Sequence, residues 1–211
     1  MAKSGNGGRG PLRGKVGNQV FTTWNGIEVV KSAPIRTAPF TEKQLQAQYV
    51  FKLTQDWLTP IVPFLKIGFK GYTQTNQGVT AAKSYLTHNA LTKAGYESTI
   101  DPTKMLVSYG ALPLPGNIAV ELTAEKDLVF TWDPSVTRGM SQRDQALLLA
   151  YNVEGADEVS NLGDHFRKEG TASISLAKKK PGAYHVYLAF VAEDRSRQSN
   201  SVYLGSVSIP E

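Results

Sequence analysis

The run Ala183-Tyr-His-Val-Tyr-Leu-Ala-Phe-Val-Ala192 decides how the chain folds. Read as a β-strand, it places Tyr184, Val186, Leu188 and Phe190 on one face and His185, Tyr187, Ala189 and Val191 on the other. Both faces are apolar, the pattern of a strand at the centre of a sheet. His185 reads as an outward-facing or hydrogen-bonded residue of that sheet. Working outward, short β-rich runs recur at 118–122, 128–132, 146–153, 172–176 and 201–209. Glu125-Lys-Asp127, Glu154-Gly155 and Lys180-Pro-Gly182 supply turn signals between them. The spacing predicts an antiparallel immunoglobulin-like β-sandwich over residues 116–211.

The first half reads differently. Two β-branched and aromatic runs within residues 16–33 flank Asn25-Gly26, the strongest short hairpin signal because both residues tolerate positive φ. Pro34 and Pro39 bracket a linker. Thr41 and Gln44 have capping-box spacing, so a helix starts there. Its stripe of Leu45, Tyr49, Leu53, Trp57 and Leu58 reads as core. Pro60 and Pro63 break that helix. A second helix is predicted over 80–94 with Gly95 as its cap, then a strand over 104–109. The proline- and glycine-rich 110–116 reads as a hinge between a hairpin and helical unit at 16–113 and the sandwich. The fold class is thus α+β.

Residues 1–15 carry Lys3, Arg9, Arg13 and Lys15 with no acid and little apolar text, which predicts a flexible basic arm. Much of the formal charge of +5 resides there. Cysteine is absent, removing disulfides and thiolate chemistry. Without the apolar stretch of a secretion signal near the start or a run of membrane-spanning length, synthesis and folding in the cytoplasm are expected.

Two resemblances follow from particular residues. Trp132 and the run from Ala183 to Tyr187 make the C-terminal half resemble a fibronectin type III or other immunoglobulin-like sandwich. Nearly the whole chain resembles an uncharacterised Bacteroidetes family, a domain of unknown function. That likeness rests on Gly14-Lys-Val-Gly17, Trp24-Asn-Gly26, Val29-Val30-Lys31-Ser-Ala-Pro34, Gly68-Phe69, Val107-Ser-Tyr-Gly110 and Ser199-Asn-Ser-Val-Tyr-Leu-Gly205. It implies an N-terminal unit followed by a sandwich, and no activity or catalytic residue.

Motifs for chemistry fail on context. Gly5-Asn-Gly7-Gly-Arg-Gly10 spells a dinucleotide fingerprint, but no strand precedes it. Gly14-Lys15 is followed by Val16 where a P-loop needs Ser or Thr. His88, His165 and His185 are scattered, no G-x-S-x-G elbow exists, and the pairs Asp157-Glu158 and Glu193-Asp194 read as solvated charge. Lys178-Lys-Lys180 reads as a solvated turn. No catalytic residue, metal, cofactor or small-molecule substrate is expected. A non-catalytic structural protein that self-associates through its N-terminal arm and hairpin is, with Lys3, Arg9, Arg13, Lys15, Phe21 and Trp24 as contacts. The alternative is a nucleic-acid-associated protein whose arm docks on phosphates.

Overall fold

A computed structural model describes residues 3–8, 12–24, 26–35, 37–72 and 78–210, with only the backbone described over 3–8. The chain divides into two compact units, 1–44 and 45–211.

The first unit is an antiparallel meander of β1 (Lys3–Gly8), β2 (Leu12–Val16), β3 (Gln19–Trp24) and β4 (Ile27–Ser32), in that order across the sheet. Trp24 pairs directly with Ile27, which leaves a two-residue loop, and Gly26 has φ of 81°. The hairpin is therefore where the sequence places it, although Asn25 itself lies outside the described residues. A second tight turn, at Gly17-Asn18, joins Val16 to its partner Gln19, with Gly17 at φ of 57°. The basic stretch expected to be a flexible arm instead forms strands: Lys3 stands opposite Arg13, and Ser4 opposite Leu12. A ladder is built from main-chain N–H and C=O groups, so glycine-rich text pairs once a neighbouring strand offers a template.

Helix α1 (Glu42–Leu58) starts at the predicted capping box. The Thr41 N–H donates to Gln44 Oε1 at 3.1 Å, and the Gln44 N–H donates to Thr41 Oγ1 at 3.4 Å. Only the C-terminal end of its stripe reaches the core, since Trp57 and Leu58 are buried while Leu45 and Tyr49 are exposed. Next come α2 (Val62–Gly68), α3 (Gly78–Asn89), and the short paired strands β5 (Leu91–Thr92) and β6 (Thr99–Ile100). Helix α3 ends before the predicted Gly95 cap, and 104–109 forms no strand.

The sandwich contains β7 (Ala119–Leu122), β8 (Asp127–Thr131), β9 (Gln145–Asn152), β10 (Asp157–Phe166), β11 (Thr171–Ser175), β12 (Gly182–Val191) and β13 (Val202–Ile209). One sheet has the order β10-β9-β12-β13 and the other β11-β8-β7. Between them, Phe130 and Trp132 meet Leu148, Ala150, Val186, Leu188 and Phe190. The opposite face of β9 and β12, with Leu147, Leu149, Tyr151, Tyr187, Ala189 and Val191, packs against Trp57, Leu58, Phe64, Leu65 and Leu86. The helices thus cover the outer face of the larger sheet. Each large apolar side chain fully buried this way contributes about 1.5–3 kcal/mol. This second layer of cover explains why the deciding run is apolar on both faces.

The same packing explains the position of 110–116 inside the second unit. Leu112 is buried, its N–H donates to the Gln198 carbonyl at 2.9 Å, and Ala111 bridges to Ser199. A segment sewn into a core in this way is no hinge.

Candidate functional site

The N-terminal sheet brings some predicted contact residues together and separates others. Directly paired residues share a face, so Lys15, Val20 and Lys31 form one row. Trp24 and Ile27 lie on that same face by alternation along β3 and β4. Phe21 pairs with Gly14 and Val30 on the opposite face. Arg13 is set opposite Lys3 at the β1–β2 ladder, and Arg9 lies outside the described residues. The exposure is unusual for apolar groups: Trp24 is 69% and Ile27 64% accessible, and Val16 and Val30 are also exposed.

Charge sharpens the contrast between the units. Residues 1–44 hold Lys3, Arg9, Arg13, Lys15, Lys31, Arg36 and Lys43 against Glu28 and Glu42, seven cations against two acids. The remaining 16 cations are matched by 16 acids, so the whole formal charge of +5 belongs to the first unit.

A second candidate site, unforeseen from composition, lies where three quoted segments converge. Gly68 packs so closely on Val107 and Ser108 that a Cβ there would collide with the backbone. The Tyr109 N–H donates to the Gly68 carbonyl at 2.8 Å. Ser108 Oγ donates to the Ser199 carbonyl at 2.7 Å with the Gly68 carbonyl 3.2 Å away, and Ser201 Oγ accepts from the Val107 N–H at 2.9 Å. Above this seam opens a cleft of about 390 Å³ lined by Lys70, Tyr109, Ser196, Arg197, Gln198 and Asn200 among others. Buried Gln198 braces it by donating its amide to the carbonyls of Lys70 and Tyr109. The sequence signal was the trio of Gly68-Phe69, Val107-Ser-Tyr-Gly110 and the stretch from Ser199 to Gly205, whose meeting only the fold discloses.

The histidines stay apart. His185 Nδ1 lies 3.0 Å from the Tyr203 hydroxyl, and burial pulls its pKa down. His165 pairs with Glu169, and His88 contacts the Ser84 carbonyl. The lysine run is less free than predicted: Lys179 Nζ donates to Asp157 Oδ1 at 2.9 Å and to the Glu158 carbonyl at 2.7 Å. Among the described residues, no helix is long and apolar enough to cross a membrane.

No curated protein matches the chain in sequence. A family of unknown function, DUF6266, matches residues 10–205, which takes in the N-terminal meander from β2 onward, the helices, the seam and the sandwich as far as Gly205. The chain belongs to this family of unknown function.

Proposed function

We propose that the protein is a non-catalytic assembly component whose N-terminal sheet joins it to a second copy of itself. The supporting observation is the accessible pair Trp24 and Ile27 on one face of the sheet, with Val16 and Val30 exposed on the other, apolar surface that the first unit leaves in water. The strand order leaves β1 as an edge, with β2 on its single paired side among the described residues. Its glycine-rich main chain is a template for the same strand of another copy, and such a two-fold contact closes on itself. The strand orders β11-β8-β7 and β10-β9-β12-β13 support reading the rest as a fibronectin type III-like sandwich serving as the body of the assembly.

One observation favours a second reading, docking on nucleic acid. Lys15 and Lys31 share a face with Trp24, and the unit carries the whole net charge. Salt separates the two. Screening relieves repulsion between two cationic sheets and strengthens self-association, whereas phosphate binding weakens as counterion release loses its advantage.

Sedimentation velocity of the full chain at roughly 50 and 200 mM salt tests this. Association that strengthens with salt and disappears in Trp24→Ser/Ile27→Ser supports assembly. A monomer at every concentration sinks it, and retention on DNA or RNA that fades with salt transfers the function to the second reading.

A further inference from the structure

We propose that the cleft bounded by Lys70, Tyr109, Ser196, Arg197 and Asn200 binds a small ligand carrying an oxyanion, a carboxylate or a phosphate, on a flat ring. The site lies within the second unit and is independent of the self-association reading.

The cleft is built before any ligand arrives. Its three walls come from the segment after α2, the stretch from Tyr109 to Ala111, and the turn between β12 and β13. Gln198 ties the first two walls to the third, and the Leu112 N–H and the Ala111–Ser199 bridge add further ties. Gly110 is held against the Gln198 carbonyl so tightly that a Cβ would overlap it. Such preorganisation lowers the ordering cost of binding.

A count of hydrogen-bonding groups points to the ligand's sign. Among the described residues, Lys70 Nζ donates one of its three N–H groups, to the Arg195 carbonyl at 2.9 Å. Arg197 donates one of five, to the Gly139 carbonyl at 3.4 Å. Asn200 Oδ1 already accepts the Gly110 N–H at 3.0 Å, which leaves its amide N–H groups as the capacity to offer. Gln198 has spent both amide N–H groups on the walls. The remaining capacity is rich in donors, and among the described residues no carboxylate lines the cleft. Asp144, Glu193 and Asp194 line the neighbouring hollow that shares Arg197; Arg167 pairs with Asp144 and Arg143 with Glu193, while Asp194 accepts from Ser196 and also feels the Arg197 charge, which leaves Lys70 as the cation of the cleft with no acid set against it among the described residues. An acceptor-rich anion satisfies this wall, and an amine does not.

Tyr109 supplies the ring preference. The residue is 41% exposed, and its ring is backed by Tyr72 at 4.9 Å and Tyr85 at 6.1 Å between centroids. Those contacts hold it as a fixed flat surface on which a second ring gains an aromatic contact. A volume of about 390 Å³ accommodates one ring and its anionic group.

Benzoate and phenyl phosphate are the probes, titrated into the full chain by NMR with the Tyr109 ring resonances as readout; inorganic phosphate and phenol are the controls. At least one probe is expected to bind with a roughly millimolar dissociation constant, more tightly than either control. Tighter benzoate identifies a carboxylate ligand, and tighter phenyl phosphate a phosphate ester. Arg197→Gln and Lys70→Gln should each weaken the better probe about tenfold while keeping the parent's denaturation midpoint, and Lys52→Gln on α1 should leave binding unchanged. Failure of both probes, binding indifferent to both cleft substitutions, or inorganic phosphate binding as well as phenyl phosphate would each overturn the proposal.

Discussion

Arg167 Nε donates to Asp144 Oδ2 at 3.0 Å, and both side chains are sealed from solvent. Of the two terminal nitrogens, Nη2 donates to the Pro113 carbonyl at 3.0 Å while buried Nη1 finds no hydrogen-bond partner among the described residues, and the plane lies over the Phe190 ring at 4.4 Å. Trp132 Nε1 donates to the Arg167 carbonyl at 2.8 Å and its ring meets Phe190 edge-on, so the ion pair is embedded in the sandwich core. Burial pulls the Arg167 pKa below its usual value, with the Asp144 charge opposing that pull.

Removing one partner strands the other charge in a dry site. Asp144→Ala is therefore expected to lower unfolding free energy by about 3–5 kcal/mol, measured by urea denaturation. Asp144→Ala combined with Arg167→Met should be less damaging than Asp144→Ala alone, because no unpaired charge remains. A double variant no more stable than Asp144→Ala would contradict this account.

Gly110 and Gly116 make a matched pair six residues apart. A Cβ on Gly110 would overlap the Gln198 carbonyl, whereas Gly116 has open space around it, and neither has positive φ. Gly110→Ala should cost about 1–3 kcal/mol through overpacking, while Gly116→Ala should be near neutral. Thermal melts of the two variants check it, and equal melting temperatures would refute the seam geometry.

Acid and alkali should act on one linked pair. Burial alone would raise the Asp157 pKa, but bonds from Lys179, Lys180 and Tyr184 outweigh it and hold the carboxylate below its usual value of 3.8. A depressed folded pKa gives stability that is present above the unfolded value and lost as pH falls through the folded one. Burial, helped by Asp157, pushes the Tyr184 phenol up to about 12. Its contribution is full below about pH 10 and fades as pH rises through about 12. Asp157→Asn should therefore lower stability at pH 7 and flatten the decline below pH 4, followed by denaturation midpoints across pH 2–7. An unchanged acid limb would refute it.

The three tryptophans report on different parts of the chain. Trp24 is 69% exposed, whereas Trp57 and Trp132 are each 4% exposed. Iodide should quench one component of the emission strongly, and Trp24→Phe should abolish that component. If the sheet joins a second copy, the quenchable fraction should shrink as protein concentration rises. Quenching that persists in Trp24→Phe would show that the exposed ring is another one.

The strands at 118–122, 128–132, 146–153, 172–176, 183–192 and 201–209 were legible to within a residue or two, because alternation and turn residues are written locally. Strand β10 was not. Its text, Asp157-Glu-Val-Ser-Asn-Leu-Gly-Asp-His-Phe166, is mostly polar, and it is a strand because β9 offers it a ladder at the sheet edge. The cleft was hidden for a related reason, since Lys70 and Arg197 are ordinary surface cations until α2 and the β12–β13 turn are brought together.

By itself the sequence determined what each segment can do locally: the two-residue turn before Ile27, the capping box at Thr41 and Gln44, and the doubly apolar strand through Phe190. The tertiary structure alone decided what covers each face. Periodicity states that Tyr187 and Ala189 must be buried, but helices or a second sheet would satisfy it equally. Only the assembled fold shows that α1, α2 and α3 cover them, and that residues 110–116 are bound into the core between the two sheets rather than dividing the chain.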